Sequence, residues 1–147
     1  MKDCVRQILQ EQGIPVWFGA DCHPMMDREN GAWATDLFEY GRVYGVDFDL
    51  DKEQRVSFGD SAMNHAMAFV GVDVDEDGHT TRRWRVENSW GDKIADKGYF
   101  TMSDDWFTEY VYEVAVPKAL LPAEYLKALE EPATMLPAWD PMGALAK

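Results

Sequence analysis

Two residues carry the clearest promise of chemistry. His65 stands in MNHAMAFVGV, and Asn88 stands 23 residues later in WRVENSWGDK. An amide oxygen that accepts from one ring N–H of a histidine fixes the tautomer and aims the other nitrogen outward. That is the orienting half of a Cys-His-Asn arrangement. Asn88 is followed by Ser89, Trp90 and Gly91. The Trp90 indole can cover the Asn–His bond, keep water off it and strengthen it in a lower local dielectric. Gly91 lets the chain turn away after the indole. Taken alone, a histidine that opens an apolar strand is more often a packed or capping residue than a catalyst. An amide 23 residues later would give it a function if the two strands pair.

Other candidates read more simply. DVDEDG, residues 73 to 78, begins like a calcium loop, with Asp73, Asp75 and Asp77 at alternate positions. Such a loop needs a bidentate Glu at its twelfth position, and Trp84 stands there. Asp-Gly between two strand-like runs is a hairpin signal, so a turn is expected and no metal. Cys22 and His23 are adjacent, so their side chains point apart, and no further ligands stand at useful spacing; a loop is expected. His79 falls in the turn and is expected to be solvated.

The elements that must position His65 and Asn88 are legible around them. HAMAFVGVDV and TRRWRVEN read as strands, with Trp84 and Val86 on one face and Arg83, Arg85 and Glu87 on the other. If they pair through the DEDGHT turn, the start of the first lies beside the end of the second. His65 and Asn88 then meet at one end of the sheet. KGYFTMS and YVYEVAVP add two strands, with a short helix between them over SDDWFTEY, capped by Ser103. Strands joined by short turns imply an antiparallel, barrel-like sheet. Upstream, residues 2–12 read as a helix with Val5, Ile8 and Leu9 inward and Gly13 as its left-handed stop. IPVWFG reads as a buried strand. Residues 20–60 read as loops with a short helix near Trp33 to Tyr40. PAEYLKALEE reads as a helix with Pro122 at its first position. PATMLPAWDPMGALAK reads as an extended arm, too apolar to be free, expected in a groove of its own chain or a neighbour.

The length, 147 residues, suits one folded domain, and 46% hydrophobic residues with six Trp are enough for a core. The formal charge of −13 disfavours nucleic acid and anionic membranes as partners. Cys4 and Cys22 make no disulfide framework and no C-x-x-C pair. No signal segment or membrane-length apolar run occurs in the sequence. A reducing, cytoplasmic setting is the expectation.

HAMAFVGVD, then WRVENSWG, then KGYFTMSDDWF, resembles the His and Asn segments of papain-like cysteine peptidases. VWFGAD, RVSFGDSAMNHAM, WRVENSWGDK, WFTEYVYEV and LPAWDPMGALA resemble the C-terminal part of the bleomycin hydrolase and aminopeptidase C family, most densely from residue 56 onward. The resemblance implies an α+β, papain-like fold: mainly the antiparallel β-barrel-like lobe plus a C-terminal arm. It divides the chain into a lead-in over 1–60, the β lobe over 61–117, and a helix with the arm over 118–147. It implies that His65 is the general base and Asn88 its orienter, supported by Trp90, Ser89 and Gly91, with no cofactor and no metal. It implies that the arm lies in the active-site cleft, where Ala146 and Lys147 would meet the amino group of a peptide substrate. Lys147 stands one residue beyond the family's ALA ending and adds a positive charge there. It further implies a homo-oligomer, typically a hexamer.

The chain departs from the family at the nucleophile. Cys4 lies inside the first helix, and Cys22 precedes His-Pro rather than Trp. The nucleophilic Cys and the oxyanion Gln are therefore expected on an upstream helical lobe, in cis or in trans. The other reading is a stand-alone, inactive module that kept the lobe for binding or assembly. Dye binding separates the two. A lobe that awaits its partner exposes an apolar face and should bind a hydrophobic dye and self-associate; a stand-alone module should stay monodisperse and dark.

Overall fold

The computed structural model describes residues 1–48 and 50–146, the last three by backbone. Its centre is one seven-stranded sheet. The strands are β1 (Val16–Ala20), β2 (Met26–Asp27), β3 (Ala32–Trp33), β4 (His65–Val74), β5 (Thr81–Glu87), β6 (Tyr99–Ser103) and β7 (Val111–Val114). The order across the sheet is β2-β3-β6-β5-β4-β1-β7. Every pairing is antiparallel except β3 with β6, which is parallel. β1 therefore lies inside the sheet, between β4 and β7, although it comes from the start of the chain.

The alternation in TRRWRVE decides which face is buried. Trp84 and Val86 turn into the core, while Arg83, Arg85 and Glu87 face solvent. β4 contributes Met67 and Phe69 to the same core. Phe69 is its hub: its ring stacks on Phe18 at 3.8 Å and on Phe107 at 5.2 Å, and lies 5.3 Å from Trp84. A second aromatic group, Trp33 with Phe100 at 4.5 Å and Trp106 at 5.5 Å, fills the space under β3 and β6. Aromatic pairs at these spacings gain from geometry as well as from burial.

Helices close the core from one side. α1 (Lys2–Gln7) runs on as a π-helical turn to Gln12 and stops at Gly13, whose φ of 64° is left-handed. It buries Val5 and Ile8, with Leu9 packed alongside. α4 (Asp104–Tyr110) starts at Ser103, whose hydroxyl accepts from the Trp106 N–H at 3.2 Å. Lys2 ties the two helices by pairing with Asp104 at 2.6 Å. The other oxygen of Asp104 accepts from Thr81 and from the Trp84 indole.

The segment between β1 and β4 differs from the sequence expectation. No helix spans Trp33 to Tyr40. Asp27 accepts from the N–H groups of Glu29 and Asn30, and Gly31 takes a φ of 71°, so the chain folds into the β2–β3 hairpin instead. Trp33 is a buried strand residue whose indole donates to the Cys22 carbonyl at 3.0 Å. The helices here come later, as α2 (Tyr40–Tyr44) and α3 (Lys52–Ser57), the latter with a capping box between Asp51 and Gln54. Pro122 is the N-cap of α5 (Ala123–Ala128) rather than its first residue. The arm has no regular structure over 132–137 and ends in a 3-10 turn, Pro141–Ala146, that packs on α3. Met135 and Trp139 are 89% and 85% exposed, so this stretch does not lie in a groove of its own chain.

The β4–β5 turn is a hairpin, as its Asp-Gly pair suggests. The Asp77 carboxylate accepts from the Thr80 hydroxyl and from the backbone N–H groups of Thr80 and His79. Those bonds, the Thr80 hydroxyl first, hold its carboxyl below the ordinary 3.8, at about 2. A depressed carboxyl stabilises the fold above its unfolded value and loses that contribution as pH falls through the folded one. Asp77→Ala should therefore lower Tm near neutral pH. The gap from wild type should close between about pH 4 and about pH 2, followed by thermal melts across that range.

Candidate active site

His65 opens β4 and Asn88 directly follows β5. The register sets Ala68 opposite Glu87 and Phe69 opposite Val86, so the two residues come together at one end of the hairpin. His65 Nε2 lies 2.8 Å from Asn88 Oδ1. The amide oxygen only accepts, so Nε2 carries the proton and Nδ1 is the bare nitrogen of the neutral ring. Asn88 Oδ1 also accepts from the Ser89 N–H at 2.8 Å, which fixes the amide's orientation. The Trp90 indole stacks on the imidazole, with centroids 5.2 Å apart and planes 19° from parallel. Trp90 stands edge-on to Phe100 of the core and carries the Arg28 guanidinium on its ring at 5.1 Å. Asn88 is 9% exposed and His65 half-buried, so the bond is shielded while the ring keeps an open side.

Backbone geometry explains the glycine after the indole. Gly91 takes a φ of 87°, a left-handed value. It returns the chain so that the Asn88 N–H reaches the Gly98 carbonyl at 3.1 Å. A Cβ on Gly98 would meet the Gly91 carbonyl oxygen at 3.1 Å. Gly98 is thus as much a part of this loop as Gly91, although nothing in KGYF marks it out. The structure brings together His65, Asn88, Ser89, Trp90 and Gly91. Ala146 ends the turn on α3, away from these residues in sequence, and Lys147 lies outside the described residues.

Neither cysteine is presented as a nucleophile. Cys22 is 2% exposed, and burial, with Asp21 second, pushes its thiol up to about 11. Cys4 is buried, and its thiol donates to the Leu120 carbonyl at 3.3 Å. The DVDEDG carboxylates are engaged elsewhere: Asp73 pairs with Arg82 and Arg83, and Asp75 with Arg82. Among the described residues no group of three or more His, Cys, Asp or Glu side chains could hold a metal ion. His79 is exposed in the turn.

A polar cluster beside His65 had no place in the sequence expectation. Asp21 follows β1 and is 5% exposed. Its carboxylate accepts from Ser61 Oγ at 2.8 Å and from Asn64 Nδ2 at 2.5 Å. The signal was present: an acid at the end of the apolar run IPVWFGAD must either leave the core or find donors there.

On the other face of β4, Trp17, Ala66, Ala68, Glu87 and Ser89 line a cleft of about 270 Å³ that reaches Asn88. Trp17 is 62% exposed. The cleft is thus an apolar surface directly beside the His–Asn pair.

Comparison with known proteins gives this arrangement a context. The family model described as "Peptidase C1-like family" matches residues 1–143. Aminopeptidase C of Lactobacillus delbrueckii subsp. lactis is 46% identical over 140 residues, which is 92% of this chain and 30% of that protein. Bleomycin hydrolase of Homo sapiens is 46% identical over 140 residues, 93% of this chain and 30% of that protein. The solved structure of PepW from Lactobacillus rhamnosis superposes with a TM-score of 0.88 at 40% identity, covering 98% of this chain and 32% of that one. This chain therefore spans about a third of the length of the relatives it matches.

The thiolate, not the thiol, is the reactive form of cysteine. At about pH 8, near the ordinary thiol range, iodoacetamide should leave Cys22 unlabelled in the folded chain and label it promptly in guanidinium. Mass spectrometry of both samples checks this; rapid native labelling of Cys22 would contradict the burial described here.

Proposed function

The chain belongs to the Peptidase C1-like family, and from that membership we propose that it is the C-terminal portion of a papain-like thiol aminopeptidase of the bleomycin hydrolase type. The observation that carries the reading is the 2.8 Å contact between His65 Nε2 and Asn88 Oδ1 under the Trp90 indole. It leaves Nδ1 as a base with a fixed direction.

In this reading the nucleophile comes from an upstream helical lobe. His65 Nδ1 takes the proton of that cysteine thiol, and the thiolate attacks the carbonyl carbon of the substrate's first peptide bond. The imidazolium then gives the proton to the departing amine as the C–N bond breaks. Water, deprotonated by the same nitrogen, hydrolyses the thioester and frees the N-terminal residue. Asn88 keeps the ring from turning through both transfers.

The arm would confine the enzyme to N-termini. Ala146 and Lys147 would lie nearest the substrate's ammonium group. The path of the arm supports this. Its closing turn packs on α3, and Lys52 of α3 donates to the carbonyl of Val111. Val111 pairs with Ala20, and Ala20 with His65. The closing turn is thus linked to the start of β4 through α3, β7 and β1. Peptide is the substrate class in this reading, and a homo-oligomer the working assembly. Among the described residues no helix is long and apolar enough to cross a membrane.

An inactive binding module is the second reading, which the burial of both thiols allows. Hydrolysis of a fluorogenic aminoacyl amide decides. The 147-residue chain alone should be inactive. Joined to the upstream lobe, it should show activity that alkylation abolishes and Cys22→Ser leaves unchanged. His65→Ala should cost about 10²–10⁴-fold in kcat/KM, and Asn88→Ala less. Activity of the chain alone that disappears in Cys22→Ser would overturn the assignment. A joined protein that binds peptide but never cleaves it would favour the second reading.

A further inference from the structure

The buried polar residues among the described ones are Asp21, Ser61 and Asn88. Asn88 holds the ring of His65. Of the other two, Asp21 holds the residue just before it and Ser61 holds Asp21. Ser61 donates to Asp21, so its single proton is used, and the Tyr112 hydroxyl 2.6 Å away must be the donor to Ser61. Burial pushes the Tyr112 phenol up, which keeps that proton in place. Asn64 is fully engaged. Its Nδ2 donates to Asp21 and lies 3.1 Å from His23 Nδ1, its Oδ1 accepts from the Cys22 N–H, and its backbone N–H donates to the Ala20 carbonyl. Asp21 in turn donates its own N–H to the Tyr110 carbonyl at 3.0 Å. The cluster thus stitches the start of β4 to the end of β1 and the start of β7.

Burying a carboxylate is costly unless its oxygens find donors, and here Ser61 and Asn64 supply them. Among the described residues Asp21 joins no ion pair; the nearby Lys52 ammonium donates to the Thr108 and Val111 carbonyls instead. What the cluster does supply is a fixed origin for the strand that begins at His65. The bond to Asn88 fixes one ring atom, and the stack on Trp90 fixes the ring plane. The β1–β4 ladder fixes the backbone by pairing His65 with Ala20, and the cluster anchors that ladder at its last pair, so that the imidazole projects from a held origin.

We propose that Asp21, Ser61 and Tyr112 are positioning residues for His65, acting through Asn64 to set the backbone from which the imidazole projects. The inference rests on the reading of His65 as the general base and deepens it. It makes the end of β1 part of the machinery, with no contact to substrate required.

The test uses the 147-residue chain with ¹⁵N-labelled histidine, at about pH 8.5, above the ordinary histidine range. His65 signals are identified by their loss in His65→Gln. Wild type should show the Nε2–H tautomer with a slowly exchanging ring proton. Ser61→Ala and the nearly isosteric Tyr112→Phe should speed that exchange roughly two- to tenfold, the effect of one lost net hydrogen bond, and broaden the tautomer mixture. Ser61→Thr, which keeps the hydroxyl, should restore wild-type behaviour. In the protein joined to its upstream lobe, the same variants should lower kcat with little change in KM. If Ser61→Ala lowers Tm yet leaves the His65 tautomer and exchange at wild-type values, the cluster is only structural and the inference fails. If wild type itself shows no fixed tautomer, the general-base reading falls first and takes the inference with it.

Discussion

The register of one hairpin governs the molecule. β4 and β5 could slide by one residue only by turning every inward side chain outward, since strand side chains alternate with period two. Phe69, Met67, Trp84 and Val86 would leave the core together. The Asp77 turn closes the hairpin at its far end, and the aromatic hub around Phe69 locks it in the middle. The meeting of His65 with Asn88 at the near end is a consequence of that lock.

Much of this was legible in the sequence because it is local. Alternation in TRRWRVE, the Asp-Gly turn and Ser103 before two acids each encode a short-range preference, and each element appears where those preferences point. The pairing of His65 with Asn88 was legible for the same reason, since it needs only a hairpin and a count of residues. The segment from 20 to 60 was not. Its structure depends on partners far away in the chain: Trp33 packs against Phe100 and Trp106, and β3 pairs in parallel with β6. In the Asp21 cluster only the acid was marked, at the end of IPVWFGAD, and its partners were not. Its members stand at 21, 61, 64 and 112, and nothing in a one-dimensional reading relates an acid to a tyrosine across that distance.

The two faces of the sheet divide the work. The inner face is dry and aromatic. The outer face beside the site carries Trp17 and two alanines around an open cleft. Small residues there leave room for another surface to approach β4 closely, and Gly19, where a Cβ would collide with Met63, keeps the neighbouring strand equally flat. A contact made on that face would end within a residue of the histidine.

The place of β1 in the sheet bears on how the chain reaches this state. β4, β5 and β6 are neighbours in sequence and close through one tight turn and one loop, at small loss of chain entropy. β1 pairs with β4 from well upstream and with β7 across more than half of the chain, and among the described residues it is the only strand beside β7. Pairings of such long range are slow to form. Until β1 inserts, β4 and β7 both present open edges, and the cluster around Asp21 cannot exist. The footing of His65 therefore waits on a long-range event in folding, and a chain damaged in β1 would lose that footing before it lost the hairpin.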